Sequence, residues 1–247
     1  MTEGYRYYAS CLSGAEGQAY FRMAEAFSAL DRSVRVPRMP TARLTEIYTM
    51  VKYDCPDLFF LSEPSYRVTP GAAYTELIPD YVFPVRQIPS LREAADKRMA
   101  RLLAGADRLT ETEKVRFVRD FLTEKVVYEK LTRHYSHEIY GVLFHGIGVC
   151  EGIAKTAKAL LDRLSVASLV VLGDSGEEGT RHAWNIIYLD RTPLHYDFTF
   201  DLSTGRSGRA PRYFGLTDDS IYRDHRQPVF PVPECRGQKE RLCGIMP

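Results

Sequence analysis

Three side chains in this sequence have the types that thiol-based acyl chemistry requires. Cys150 lies in "GIGVCEGIAKTAKALL" (146–161), His182 in "HAWNIIYL" (182–189) and Asp197 in "LHYDFTF" (194–200). A thiolate attacks a carbonyl carbon, an imidazole moves the proton, and a carboxylate orients the imidazole. Cys150 stands where a helix begins, and there the free N–H groups and the positive end of the helix dipole favour an anion. Gly146 and Gly148 permit a close turn and leave space beside the sulfur. The same position also suits a small apolar residue closing a helix end. The functional reading therefore rests on the partners.

His182 and Asp197 come together if Asp190-Arg191 is the two-residue loop of a β-hairpin. Leu189 then faces Thr192, and pairing runs outward until His182 opposes Thr199 and Asp197 opposes Trp184. Residues 197 and 199 share a face, which makes His182 and Asp197 diagonal neighbours within side-chain reach. An aspartate among the aromatic residues of "LHYDFTF" is unfavourable unless its carboxylate has a partner. The imidazole is the nearest one. Cys150 must arrive through the tertiary fold.

The elements that would position these groups can be read from periodicity and punctuation. Residues 14–30 predict a helix opened by a Ser13/Glu16 capping box, with Ala19, Tyr20, Met23, Phe27 and Leu30 on one face. A second helix spans about 41–53 and stops before Pro56. In "LFFLSEPSYRVTPGAAYTELI", Pro70-Gly71 predicts a turn between two short strands. Beyond a joint at 84–90, Ser90/Glu93 and Thr110/Glu113 are capping boxes for two further helices. Next comes the helix starting at Cys150, whose residues Ile153, Ala154, Ala157, Leu160, Leu161 and Leu164 form one apolar stripe. Three strands follow, 168–173, 182–189 and 194–200. Helices followed by an antiparallel sheet indicate an α+β fold. The expected organisation is an N-terminal α+β extension over 1–88, a core over 89–227, and an irregular proline-rich tail over 228–247.

Bulk properties remove several functional classes. The 33 basic and 32 acidic side chains leave a net charge of +1, so nothing favours nucleic acid as a partner. No apolar run is long enough to cross a membrane. The opening "MTEGYRYYAS" lacks the basic start and apolar stretch of a signal peptide, which predicts a cytoplasmic protein. Five scattered cysteines, at 11, 55, 150, 235 and 243, resemble reduced thiols more than a disulfide framework. No cofactor or metal is implied. The His134 and His137 pair of "HYSHE" is a weak metal signal that a solvated loop explains better.

"GVCEGIAKTAKALL", "RHAWNIIYLD" and "LHYDFTFD" resemble the three motifs of the transglutaminase-like superfamily core: a Cys at a helix start, a His in an H-A-W-N-like strand, and an Asp in a D-x-T-W-like strand. The likeness is strongest over about 110–202. "YYASCLSG" and "YDCPDLFFL" are similar to N-terminal regions of bacterial proteins in this group. Phe200 and Leu194 depart from the family pattern as packing changes. The resemblance implies a transglutaminase-core, papain-like cysteine-protease fold, with Cys150 as nucleophile, His182 as base and acid, and Asp197 as the group that orients it. Calcium dependence is not implied, and the CxxC zinc pairs of the peptide-N-glycanase branch are absent.

The implied reaction is acyl transfer through a thioester on a protein or peptide substrate, by peptidase, amidase or transglutaminase chemistry. The Cys150 backbone N–H would supply one oxyanion donor, and Tyr140, with His145 behind it, is the expected source of the second. For Tyr140, packing against the helix is an equal alternative. Trp184 either shields the imidazole or fills the core. His195 shares the face of Asp197 and would contact substrate or pack. His225 follows "YFGLTDDSIYRD", which resembles the family's closing segment, and has no assigned chemistry. Two other readings remain: a non-catalytic peptide-binding module on the same fold, and a zinc ion held by Cys150, His182 and Asp197. Oligomeric state is not encoded legibly.

Overall fold

The computed structural model describes residues 4–129, 133–206 and 210–237. The chain forms two units, one of Arg6–Lys97 and one of Met1–Tyr5 with Arg98–Pro247. The division falls inside a helix that begins at Ile88.

In the first unit the order is α1 (Tyr7–Ser10), α2 (Gly14–Ala29), β1 (Val34–Pro37), α3 (Thr41–Asp54), β2 (Ser65–Val68), β3 (Tyr74–Ile78) and the start of α4 (Ile88–Leu102). The three strands form an antiparallel sheet in the order β1-β3-β2. Strand β1, "VRVP", is too short and too charged to carry a legible alternation, and the sequence reading did not include it. The apolar faces predicted for α2 and α3 are buried: Ala19, Tyr20, Met23 and Phe27 on the first, Leu44, Ile47, Tyr48 and Val51 on the second.

Two of the three expected capping boxes do not form. Ser13 makes no side-chain cap bond, and the Glu16 carboxylate that would return to it is held by Arg43 at 2.8 and 2.9 Å. Helix α4 starts two residues before Ser90, led in by a 3₁₀ turn over Val85–Gln87, with Pro89 in its first turn where a missing N–H costs nothing. The Ser90 hydroxyl donates to the Gln87 carbonyl, and Glu93 pairs with Lys97. The third box is real. In α5 (Glu111–Lys125) the Glu113 N–H donates to Thr110 Oγ1 at 3.4 Å, and the Thr110 N–H donates to Glu113 Oε2 at 2.8 Å.

The second unit continues with β4 (Val127–Tyr128), a π-helical turn over Gly141–His145, β5 (Ile147–Gly148), α6 (Cys150–Arg163), β6 (Ser168–Ser175), β7 (Thr180–Leu189), β8 (Thr192–Tyr196), α7 (Phe198–Arg206), β9 (Phe214–Leu216) and α8 (Asp218–Ile221). Strands β6 to β9 form a four-stranded antiparallel sheet in chain order, while β4 and β5 pair in parallel. Leu189 faces Thr192 across Asp190-Arg191, both at positive φ (49° and 66°), as a type I′ turn requires. The expected register therefore holds as far as Asn185–Tyr196.

The third expected strand is shorter than its apolar run. After Tyr196 the Asp197 N–H donates to the Tyr213 carbonyl, and the chain turns into α7. Helix α6 is enclosed on all sides. Besides its predicted stripe, Lys155 and Lys158 have no exposed surface. Lys155 pairs with Glu138 (2.9 Å) and Glu151 (2.8 Å), and Lys158 pairs with Asp162 (2.9 Å) while donating to the Tyr5 carbonyl (2.8 Å). Two lysines and three acids thus satisfy one another around the helix. Among the described residues, no helix is long and apolar enough to cross a membrane.

Candidate active site

Cys150 is the first residue of α6, after an extended Val149 whose N–H donates to the Ser136 carbonyl at 3.0 Å. Gly146 adopts φ +65°, a conformation that costs glycine little, and so brings the chain round to the helix start. At Gly152 a Cβ would strike the Ser136 carbonyl, so this position seats the 134–137 turn against the helix. The Cys150 thiol is free and half-buried.

His182 projects from β7 and is 5% exposed. Its Nε2 lies 2.7 Å from Asp197 Oδ2, and the Cys150 thiol is near enough to act on the same ring. Since Asp197 occupies Nε2, Nδ1 is the nitrogen left for the sulfur. Burial alone would push the imidazole down. The hydrogen bonds and charges of Asp197 and Cys150 outweigh it and raise His182 from 6.5 to about 9.

Asp197 has no exposed surface. It is the N-cap of α7, accepting the Phe200 N–H on Oδ1 at 3.1 Å. Burial favours its neutral form, but hydrogen bonds from His182 and His225 and their charge hold the carboxyl below its usual range. The sequence reading noticed that an aspartate is out of place inside a strand. The structure resolves this by ending the strand one residue earlier.

Two further groups complete the centre, and the sequence gave no clear sign of either. Parallel pairing of β4 and β5 sets Tyr128 opposite Gly148, which brings its phenol within reach of the backbone and the thiol of Cys150. Burial raises this phenol further above its ordinary range. His225, bridged to the end of β6 at Ser175, places Nε2 2.9 Å from the same Asp197 oxygen and Nδ1 2.7 Å from Asp224 Oδ1.

Trp184 packs beside this cluster, its ring 18° from the plane of His182 and edge-on to His225. Its indole N–H donates to His195 Nδ1 at 2.9 Å, and His195 Nε2 lies 2.8 Å from Asp218 Oδ1. Burial lowers His195, against the pull of Asp218. Its tautomer follows: Nδ1 accepts and Nε2–H donates. The indole therefore both packs and is held in orientation. Tyr140 and His145 belong to an aromatic group with Tyr135, and Phe144 packs on Tyr140. His137 pairs with Glu151 at 2.9 Å, and Glu138 with Lys155.

Among the described residues, two triplets have metal-capable atoms within 4.8 Å of one another, His182–Asp197–His225 and His195–Asp218–Cys235. Hydrogen bonding already accounts for both sets. In the second, the ring nitrogens of His195 are committed to Trp184 and Asp218, and the Cys235 N–H donates to Asp218 Oδ2 at 2.9 Å.

A family model described as "Transglutaminase-like superfamily" matches residues 97–198. Residues 97–198 are thus similar to the core of that superfamily. Cys150, His182 and Asp197 all fall within it, whereas His225 lies beyond. The superfamily includes cysteine proteases and acyltransferases. No curated protein matches the chain. Among solved structures, one is a TGase, at 14% identity and a TM-score of 0.39, covering 68% of this chain and 50% of that one. A protein from Cytophaga hutchinsonii described as a candidate cysteine protease matches at 14% identity and a TM-score of 0.37, covering 56% and 61%. The periplasmic domain of TgpA from Pseudomonas aeruginosa matches at 17% identity and a TM-score of 0.32, covering 57% and 61%. The chain thus spans half to three-fifths of the length of these structures. The mixed helix and sheet of the structure agrees with the α+β class expected from sequence.

Proposed function

We propose that this chain is a cysteine-dependent acyl-transfer enzyme acting on peptide or glutamine carboxamide carbonyls, with water as its usual acceptor. The observation that carries the reading is the buried His182–Asp197 pair at 2.7 Å, with the half-buried Cys150 thiol acting on the same imidazole. The thiolate attacks the carbonyl carbon, and the imidazolium protonates the departing amine or ammonia as the C–N bond breaks. Water then attacks the thioester, giving its proton to neutral His182, and the C–S bond breaks to return the thiolate. Asp197 keeps the ring in the tautomer that both steps need.

The oxyanion takes one hydrogen bond from the Cys150 N–H. We assign the second to Tyr128, whose hydroxyl already lies against that N–H. An arriving carbonyl oxygen accepts that N–H in place of the hydroxyl and accepts a second hydrogen bond from the phenolic O–H. Water is favoured as acceptor because it needs no site of its own. An amine acceptor would make the same thioester a cross-link.

Iodoacetamide tests the reading directly. Cys150 should be alkylated ahead of the other cysteines, and its labelling should persist below pH 7. Incubation with glutamine-containing peptides, with and without a primary amine, then separates release of ammonia or cleaved peptide from conjugation. A Cys150→Ala chain serves as the blank. Uniform labelling of all thiols together with no product from any peptide would overturn the enzyme reading in favour of a binding module.

A further inference from the structure

The Asp197 carboxylate serves two imidazoles, and the proposed reaction uses only one. His225 is buried and sits between two acids, with Nε2 2.9 Å from Asp197 Oδ2 and Nδ1 2.7 Å from Asp224 Oδ1. A neutral imidazole has one N–H and one lone pair, so it can satisfy only one of two ionised carboxylates; a doubly protonated ring satisfies both. The ring centroids of His225 and His182 are 5.4 Å apart. We propose that His225 is a positioning residue held as an imidazolium between Asp197 and Asp224, and that its charge limits how tightly His182 holds its own proton.

This rests on the acyl-transfer reading, and it gives the second histidine a purpose there. Deacylation needs His182 neutral, to take a proton from water. An Asp197 carboxylate devoted wholly to His182 would keep that ring protonated, whereas a carboxylate shared with a second cation binds it less strongly. The other groups around His225 fit this arrangement. Trp184, Phe200 and Tyr213 wall the ring with aromatic faces and edges. The Tyr213 hydroxyl donates to Asp224 Oδ2 at 2.5 Å, and the nearby Asp174 on β6 is paired with Arg181 on β7 at 3.3 Å. Asp224 is 42% exposed on its side chain, so the outer acid is open to substitution without disturbing the packing.

The test uses the full chain with ¹⁵N-labelled histidine, in the unmutated form and as His225→Gln and Asp224→Asn. In the unmutated protein both ring nitrogens of His225 should report attached protons at neutral pH. The His182 titration should move upward in His225→Gln by about one unit or more, the size of a screened unit charge at this separation. Asp224→Asn should move it the same way by less, and the alkaline limb of turnover should shift in step. A purely structural His225 would leave that titration where it was. A bare ring nitrogen on His225, or an unmoved His182 in both variants, overturns the proposal. Failure of Cys150 to react preferentially in the unmutated chain sinks the acyl-transfer reading alone, because the histidine titrations are read independently of turnover.

Discussion

Replacing Asp197 with asparagine isolates the electrostatic part of the proposed chemistry. Asparagine is also a good N-cap, so its Oδ1 can keep the Phe200 N–H that starts α7. The loss is the negative charge at 2.7 Å from His182 and 2.9 Å from His225. In the intact site His182 is raised from 6.5 to about 9 against a burial penalty that works in the opposite direction. That difference corresponds to about 3 kcal/mol favouring the imidazolium. Without the carboxylate the ring should titrate no higher than an exposed histidine. Its protonated fraction near pH 7.5 then falls from almost unity to about one tenth. Loss of the fixed tautomer adds to this, and by analogy with other triads the combined cost in kcat/KM is on the order of 10³. The assay is the iodoacetamide rate at Cys150 from pH 5 to 9, read by mass spectrometry beside peptide turnover. The intact chain should keep its reactivity into the acid range, and the variant should lose it below neutrality. An unchanged alkylation profile in a folded Asp197→Asn protein would refute the thiolate–imidazolium argument.

Tyr128→Phe should lower kcat by about tenfold or more with little change in KM, whereas a rise in kcat would show that the hydroxyl obstructs the site instead of assisting it. Lys155→Met should destabilise the fold by about 3 kcal/mol in chemical denaturation, since it removes a buried cation that pairs with Glu138 and Glu151, and a change within experimental error would contradict the network described for α6. The raised folded-state value of His182 stabilises the protein fully below pH 6.5, and this contribution is lost as pH climbs through about 9. The urea midpoint should therefore fall between pH 6 and pH 9.5, and His182→Gln should fall less over the same interval.

The hairpin was the most legible part of the site. Two loop residues and the alternation around them fix which positions oppose, and the structure keeps that register from Leu189–Thr192 to Asn185–Tyr196. Helix α6 was equally legible from its stripe, although the burial of Lys155 and Lys158 was not, because acids distant in sequence neutralise one of them. The misplaced ends share a cause. Ser13 and Ser90 have the right spacing to an acid, but Arg43 and Lys97 compete for those acids, and a local motif cannot anticipate its competitors. Asp197 ends β8 because its backbone N–H finds Tyr213, a contact that depends on the return of a later segment. Tyr128 and His225 were invisible for the same reason. One reaches Cys150 through a two-residue parallel ladder and the other through a single bridge to Ser175, neither of which leaves a period in the sequence.

The double service of Asp197 ties the integrity of a helix to the presence of an acid. A descendant that abandoned the chemistry and drifted to an aliphatic residue here would strip two buried imidazoles of their shared acceptor and leave the first turn of α7 without its own. Genetic drift toward an inert copy thus meets a folding penalty at its first step, and a lineage that had lost its substrate would still be held to the acid.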